Sequence, residues 1–71
     1  MPQEFCYITT KPDGIYVETS YNPEFVELIK RHVPWDHRRW DPETKTWWIS
    51  HEYAAQIRID ATVQFEKVIE V

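Results

Sequence analysis

The sequence predicts a small α+β domain, an antiparallel sheet with two helices packed on one face, in the order ββαββα with an optional final strand. Two segments resembling β-hairpins are each followed by a segment with helical periodicity. The 71 residues allow one domain spanning 1–71. Aromatic residues make up 15% of the chain and supply the buried area that such a small domain needs.

The first hairpin is predicted from two β-rich segments, Glu4–Thr10 and Ile15–Ser20, that flank a short turn sequence. Pro12 suits the first turn position because its φ is fixed, and Gly14 accepts the left-handed conformation that the turn requires.

The first helix is predicted to begin after Asn22, a favourable N-cap, with Pro23 at its first position. Its apolar positions recur at helical spacing and form one stripe: Phe25, Leu28, Ile29 and Val33. Pro34 ends it.

Residues Arg38–Ser50 predict a second hairpin around a turn at 41–45. If Asp41 and Thr46 close a four-residue loop, Trp40 faces Trp47 and Arg39 faces Trp48. Because side chains alternate between faces, Trp40, Trp47 and Ile49 would share one side, and Arg39 and Trp48 the other. The sequence leaves open which of these sides is buried, although Trp40 and Trp47 are most simply interpreted as core residues. A register shift of one residue would exchange these roles.

Ser50 is a suitable cap for a second helix, whose short apolar stripe is Tyr53, Ala54 and Ile57. The pattern from Thr62 to Val71 fits a helix end followed by a strand. We interpret most of this segment as extended, which supplies the optional final strand.

Catalytic and metal-binding patterns are weak in this sequence. Cys6 has no neighbouring base and is best interpreted as a small buried hydrophobic residue. Gly14 is the only glycine, so a glycine-rich phosphate loop is excluded. The three histidines and Cys6 match no known zinc-ligand spacing. We therefore expect no enzymatic activity, no cofactor and no metal.

A cytoplasmic location is expected from two observations. A single cysteine is typical of a reducing compartment. Residues 1–4 lack the basic start of a signal peptide, and no apolar run approaches the length of a membrane span.

Charge and tryptophan are concentrated in one part of the chain. The net charge is −4, yet residues 30–45 hold five basic against three acidic side chains. An exposed Trp48 beside Arg39 would suit single-stranded nucleic acid, since bases stack on the ring and phosphates meet the cation. The same pair would suit a protein interface. A third interpretation is an intramolecular cation–π pair.

The runs 22–30 (NPEFVELIK) and 39–49 (RWDPETKTWWI) resemble the HARP-type domain attached to annealing helicases and related SNF2-type motors, and similar phage helicase-associated domains. The resemblance covers about residues 4–65. It implies a module without catalytic activity that helps a motor engage forked or branched DNA. It also implies DNA contacts by Arg38, Arg39, Lys45 and Trp48, with Trp40 and Trp47 as the hairpin core.

Our leading hypothesis is a non-enzymatic, stand-alone module for replication or repair that recognises single-stranded or forked DNA. The hairpin 38–48 would make the contacts together with Lys30 and Arg31 at the end of the first helix. The alternative is a protein-interaction module, which would be a small accessory or inhibitor subunit of a helicase or other nucleic-acid enzyme. A phage-encoded subunit is one form of this alternative. A homo-oligomer that hides its tryptophans is a third hypothesis.

Overall fold

The computed structural model describes residues 5–71 and contains a five-stranded sheet with two helices on one face. In chain order the elements are β1 (Phe5–Lys11), β2 (Gly14–Thr19), α1 (Pro23–His32), β3 (Arg38–Asp41), β4 (Thr46–Ile49), α2 (Ala54–Gln64) and β5 (Lys67–Glu70). Short 3-10 turns at Trp35–His37 and His51–Tyr53 precede β3 and α2.

The strands lie in the order β3-β4-β2-β1-β5. The hairpins β1–β2 and β3–β4 are antiparallel, and they join through an antiparallel pairing of β2 with β4, whereas β5 runs parallel to β1. The predicted α+β fold is confirmed, including its final strand. The one refinement is the parallel β1–β5 pair, which makes the sheet mixed rather than wholly antiparallel.

Helix α1 begins as its sequence predicts. The Asn22 side chain accepts a hydrogen bond from the Phe25 backbone N–H at 3.1 Å, and Pro23 occupies the first turn. The helix ends at Val33, whose backbone N–H donates to the Ile29 carbonyl at 2.9 Å. Its buried side chains therefore face the sheet along one stripe.

Helix α2 starts and ends later than the sequence pattern suggests. Ser50 caps the 3-10 turn rather than α2 itself, and α2 then continues to Gln64. The extended conformation predicted from Thr62 is therefore wrong for residues 62–64. The helix is closed by its C-cap Phe65, whose backbone N–H donates to the Ala61 carbonyl at 2.8 Å and whose side chain is buried against the core.

The core lies between the helices and one face of the sheet. Its largest fully buried side chains come from the three central strands, both helices and the C-cap of α1: Cys6, Ile8, Ile15, Val17, Ile49, Phe25, Ile29, Ile57 and Val33. Trp47, Tyr53 and Val68 pack at its margin. All the helical contributions come from one side, so neither helix covers the opposite face of the sheet.

Within residues 5–71, neither helix has the length and apolar character needed to cross a bilayer. Residues 1–4, on which the signal-peptide prediction and the predicted start of the first strand at Glu4 depend, lie outside the described residues.

Candidate nucleic-acid interface

The sheet face that neither helix covers, called the open face below, carries two rows of side chains that run across the strands. The first row is set by the register and contains Thr9, Tyr16, Trp48 and Arg39, from β1, β2, β4 and β3 in turn. The second row contains Tyr7, Glu18, Thr46 and Asp41. Directly opposed residues on adjacent strands have close Cβ atoms, so the members of each row are neighbours on the open face.

The turn between β1 and β2 holds two open-face rings in place. The Trp48 Nε1–H donates to the Asp13 carbonyl oxygen at 3.0 Å. The Tyr16 hydroxyl donates to Asp13 Oδ2 at 2.7 Å. This hydrogen bond to a carboxylate is the main cause of a raised pKa of the Tyr16 hydroxyl. The rings thus have defined orientations.

Each of these rings has a cation beside its face. The Arg39 guanidinium carbon lies 5.5 Å from the centre of the Trp48 ring, and the Lys11 Nζ lies 5.1 Å from the centre of the Tyr16 ring. Neither cation takes part in an ion pair among residues 5–71. The intramolecular cation–π pair that the sequence left open is therefore present, and both cations remain free of carboxylate partners within that range.

The structure brings together only two of the six predicted contact residues, Arg39 and Trp48. Arg38 lies on the helix side, where its Nε–H donates to the Val33 carbonyl at 3.3 Å. Lys30 and Arg31 are exposed on the last turn of α1, in the helical layer. Lys45 lies in the β3–β4 turn with a φ of 55°.

Sequence reasoning missed Tyr16, Tyr7 and Lys11 as members of the same surface. Alternation within β1 and β2 could have placed Tyr7 and Tyr16 on one face. Their proximity to Trp48 depends on the pairing of β2 with β4, two strands that are far apart in the chain.

Trp40 is not a core residue, contrary to the prediction. Its side chain is 46% exposed, while Trp47 is partly buried against the core. The two rings lie 5.4 Å apart in a tilted arrangement, so the predicted register is correct. The difference arises because β3 is an edge strand: Trp47 has strand neighbours on both sides and Trp40 on one.

A second concave surface lies on the helix side, beside Trp40. This cleft has a volume of about 360 Å³ and is lined by Tyr21, Val26, Trp40, Lys45 and Trp47, among others. Tyr21 is 88% exposed. Aromatic surface is therefore available on both sides of the sheet.

Of the residues that sequence reasoning considered for catalysis or metal binding, Cys6 is buried in the core, and His32 and His51 each contact an oxygen of another residue. Burial, with a smaller effect from the Glu70 carboxylate, raises the pKa of the Cys6 thiol to about 12, which leaves it protonated and unreactive at neutral pH. His32 Nδ1 lies 2.8 Å from Asp60 Oδ2, and His51 Nε2 lies 3.2 Å from the Pro12 carbonyl oxygen. Among residues 5–71, no group of three or more His, Cys, Asp or Glu side chains is arranged to hold a metal ion.

Comparison with known proteins gives no relative for this chain: no family model matches the sequence, and neither does any curated protein or solved structure. The resemblance to the HARP-type domain stays a prediction.

Proposed function

We propose that this domain is a non-enzymatic accessory module that binds single-stranded DNA, including the single-stranded arm of a fork, on the open face. The observation that carries the proposal is the row in which Tyr16 and Trp48 are cross-strand neighbours, each with a cation beside it, on a sheet surface without a helix over it. Aromatic rings beside cations are what a stacked base and its phosphate require.

Stacking can compete with the contacts already present. An exposed cation–π contact contributes about 0.5–1 kcal/mol, whereas a base stacked on an aromatic side chain contributes about 1–3 kcal/mol. An incoming base therefore displaces the Arg39 guanidinium from Trp48. The freed guanidinium can then bind a neighbouring phosphate.

The net charge of −4 limits the affinity. Few phosphates are neutralised by the cations of the open face, so we expect a shallow salt dependence compared with a strongly basic protein. Binding should depend on rings more than on charge, and it should be weak for an isolated domain.

The test is fluorescence anisotropy of a labelled 15-nucleotide oligothymidine at low salt, with salt titration. Trp48→Leu and Arg39→Ala should each weaken binding by about fivefold or more. Trp35→Leu and Arg31→Ala are the matched controls: Trp35 is 79% exposed in the turn before β3, and Arg31 lies in the helical layer.

Circular dichroism must show that each variant is folded. Equal losses in the test and control variants, or no binding by the native protein at tens of micromolar to either oligothymidine or a single strand of mixed sequence, would refute the proposal. Stronger binding to a forked duplex than to the single strand would show that the domain also recognises the fork.

A protein-interaction module is the second candidate, and the helix-side cleft favours it. Exposed Trp40 and Tyr21 are aromatic anchors of the kind that protein interfaces use, and an acidic chain is suited to a basic surface on a helicase or other nucleic-acid enzyme. Trp40→Ala should then abolish co-purification with that enzyme and leave oligothymidine binding unchanged.

A further inference from the structure

A cleft of about 300 Å³ opens on the same face as Tyr16. Its lining combines two aromatic rings, Tyr7 and Tyr16, with the Lys11 ammonium and with two carboxylates, Glu18 and Asp41. The volume lies at the lower end of the range for small-molecule sites, about 300–1,000 Å³. It suits one planar ring system rather than a length of polynucleotide backbone.

The two carboxylates lie on either side of a single residue. Thr46 is the cross-strand partner of both Glu18 on β2 and Asp41 on β3. One Asp41 oxygen, Oδ1, already accepts the Glu43 backbone N–H at 3.0 Å. Glu18 is exposed and has no ion-pair partner among residues 5–71. The cleft therefore offers carboxylate oxygens that can still accept hydrogen bonds.

We propose that this cleft selects a nucleobase with an exocyclic amino group, and that Glu18 and Asp41 are its specificity-determining residues. This inference rests on the proposed function. Ionised carboxylates only accept hydrogen bonds, so they bind the N4 amino group of cytosine and repel the O4 carbonyl of thymine. The ring of the base stacks against Tyr7 or Tyr16.

The charged side chains of the open face also determine how the bound DNA strand is oriented. Two carboxylates in the cleft repel a phosphodiester, whereas Lys11, which also lines the cleft, and Arg39, which lies over Trp48 outside it, attract the phosphodiester. The base consequently enters the cleft and its phosphates lie toward the cations. An acidic surface thus becomes compatible with DNA binding, because the acidic groups contact the base and not the backbone.

Cytosine and thymine provide a sharp comparison because they have the same ring size and present opposite groups at position 4, an amino donor in cytosine and a carbonyl acceptor in thymine. Anisotropy with labelled 15-nucleotide oligodeoxycytidine and oligothymidine, at pH 8, should show about tenfold tighter binding of oligodeoxycytidine. In Glu18→Gln the preference should fall to about twofold, since an amide both donates and accepts. Asp41→Asn should have the same effect while retaining an acceptor for the Glu43 N–H.

Glu27→Gln is the matched control, because it removes the same charge from an exposed position on α1. Equal affinity of the native protein for both oligonucleotides, or an equal change of preference in Glu18→Gln and Glu27→Gln, would overturn this inference and leave the proposed function intact. Failure to bind either oligonucleotide would overturn both.

Discussion

Replacing Gly14 with alanine should destabilise the domain and displace Trp48. A Cβ atom at Gly14 would lie 2.5 Å from the Ile49 carbonyl oxygen and 2.6 Å from Trp48 Nε1. The Ile49 carbonyl oxygen belongs to the backbone, so it cannot be moved aside by a side-chain rotation. Gly14 also has a φ of 150°, a conformation that side chains with a Cβ rarely adopt.

The expected cost has two parts. Holding a residue other than glycine in such a conformation costs about 1–3 kcal/mol, and overpacking a close contact costs about 1–3 kcal/mol. The sum, about 2–6 kcal/mol, is large against a stability of about 4–11 kcal/mol for a domain of this size. The melting temperature should fall by at least about 8 °C.

Urea and thermal denaturation followed by circular dichroism measure the stability. Because the chain has four tryptophans, the Trp48 emission is obtained as the difference between proteins with and without a Trp48→Phe substitution. Pro12→Ala is the control in the same turn. It should cost no more than about 1 kcal/mol, the contribution of proline to restricting the unfolded chain. A Gly14→Ala protein that melts within about 2 °C of the native one, with unchanged emission, would refute the argument from close approach.

Three further predictions concern the helical layer and the core. His32→Ala should lower the free energy of unfolding by about 1–3 kcal/mol, since it removes a hydrogen-bond partner from Asp60, a carboxylate that is only 5% exposed; urea denaturation measures this. Trp47→Ala should cost about 3 kcal/mol and Trp40→Ala less than half of that, because Trp40 is half exposed; the same assay compares them. The free energy of unfolding should fall as the pH rises from about 9 to about 12, because the Cys6 thiol ionises near 9.0 when unfolded and near 12 when folded.

Each of these predictions has a result that contradicts it. Arg31→Ala, on the adjacent exposed position, should leave the urea midpoint unchanged, so equal midpoints for it and His32→Ala would argue against the pairing with Asp60. Equal costs at Trp40 and Trp47 would mean that the edge strand is more buried than described. The alkaline loss must be smaller in Cys6→Ala than in the native protein, because other groups also titrate in this range.

Local signals in the sequence are sufficient to predict the individual helices and hairpins. Asn22 and Pro23 mark the start of α1, and their predicted capping is present. The assumption of a four-residue loop gave the right register of the second hairpin, with Arg39 opposite Trp48 and Trp40 opposite Trp47. Such features depend on residues within a few positions of one another, which is the distance over which a sequence pattern is informative.

The pairing of distant strands could not be obtained in this way. Nothing in the sequence near Tyr16 indicates that it lies beside Trp48, because this depends on the antiparallel pairing of β2 with β4. The exposure of Trp40 depends equally on the position of β3 at the sheet edge. Most of the candidate surface, including Glu18 of the base-selecting cleft, therefore required the three-dimensional structure.

The parallel pairing of β5 with β1 has a consequence for the synthesis of the protein. The Cα partners of Phe5 and Cys6 are Lys67 and Val68, so the largest chain separation in the sheet is closed by its last strand. A nascent chain on the ribosome can form either hairpin early but cannot complete the sheet until residue 70 has left the exit tunnel. Until then the edge of β1 remains available for pairing with other chains, which makes the interval before β5 emerges a period of aggregation risk.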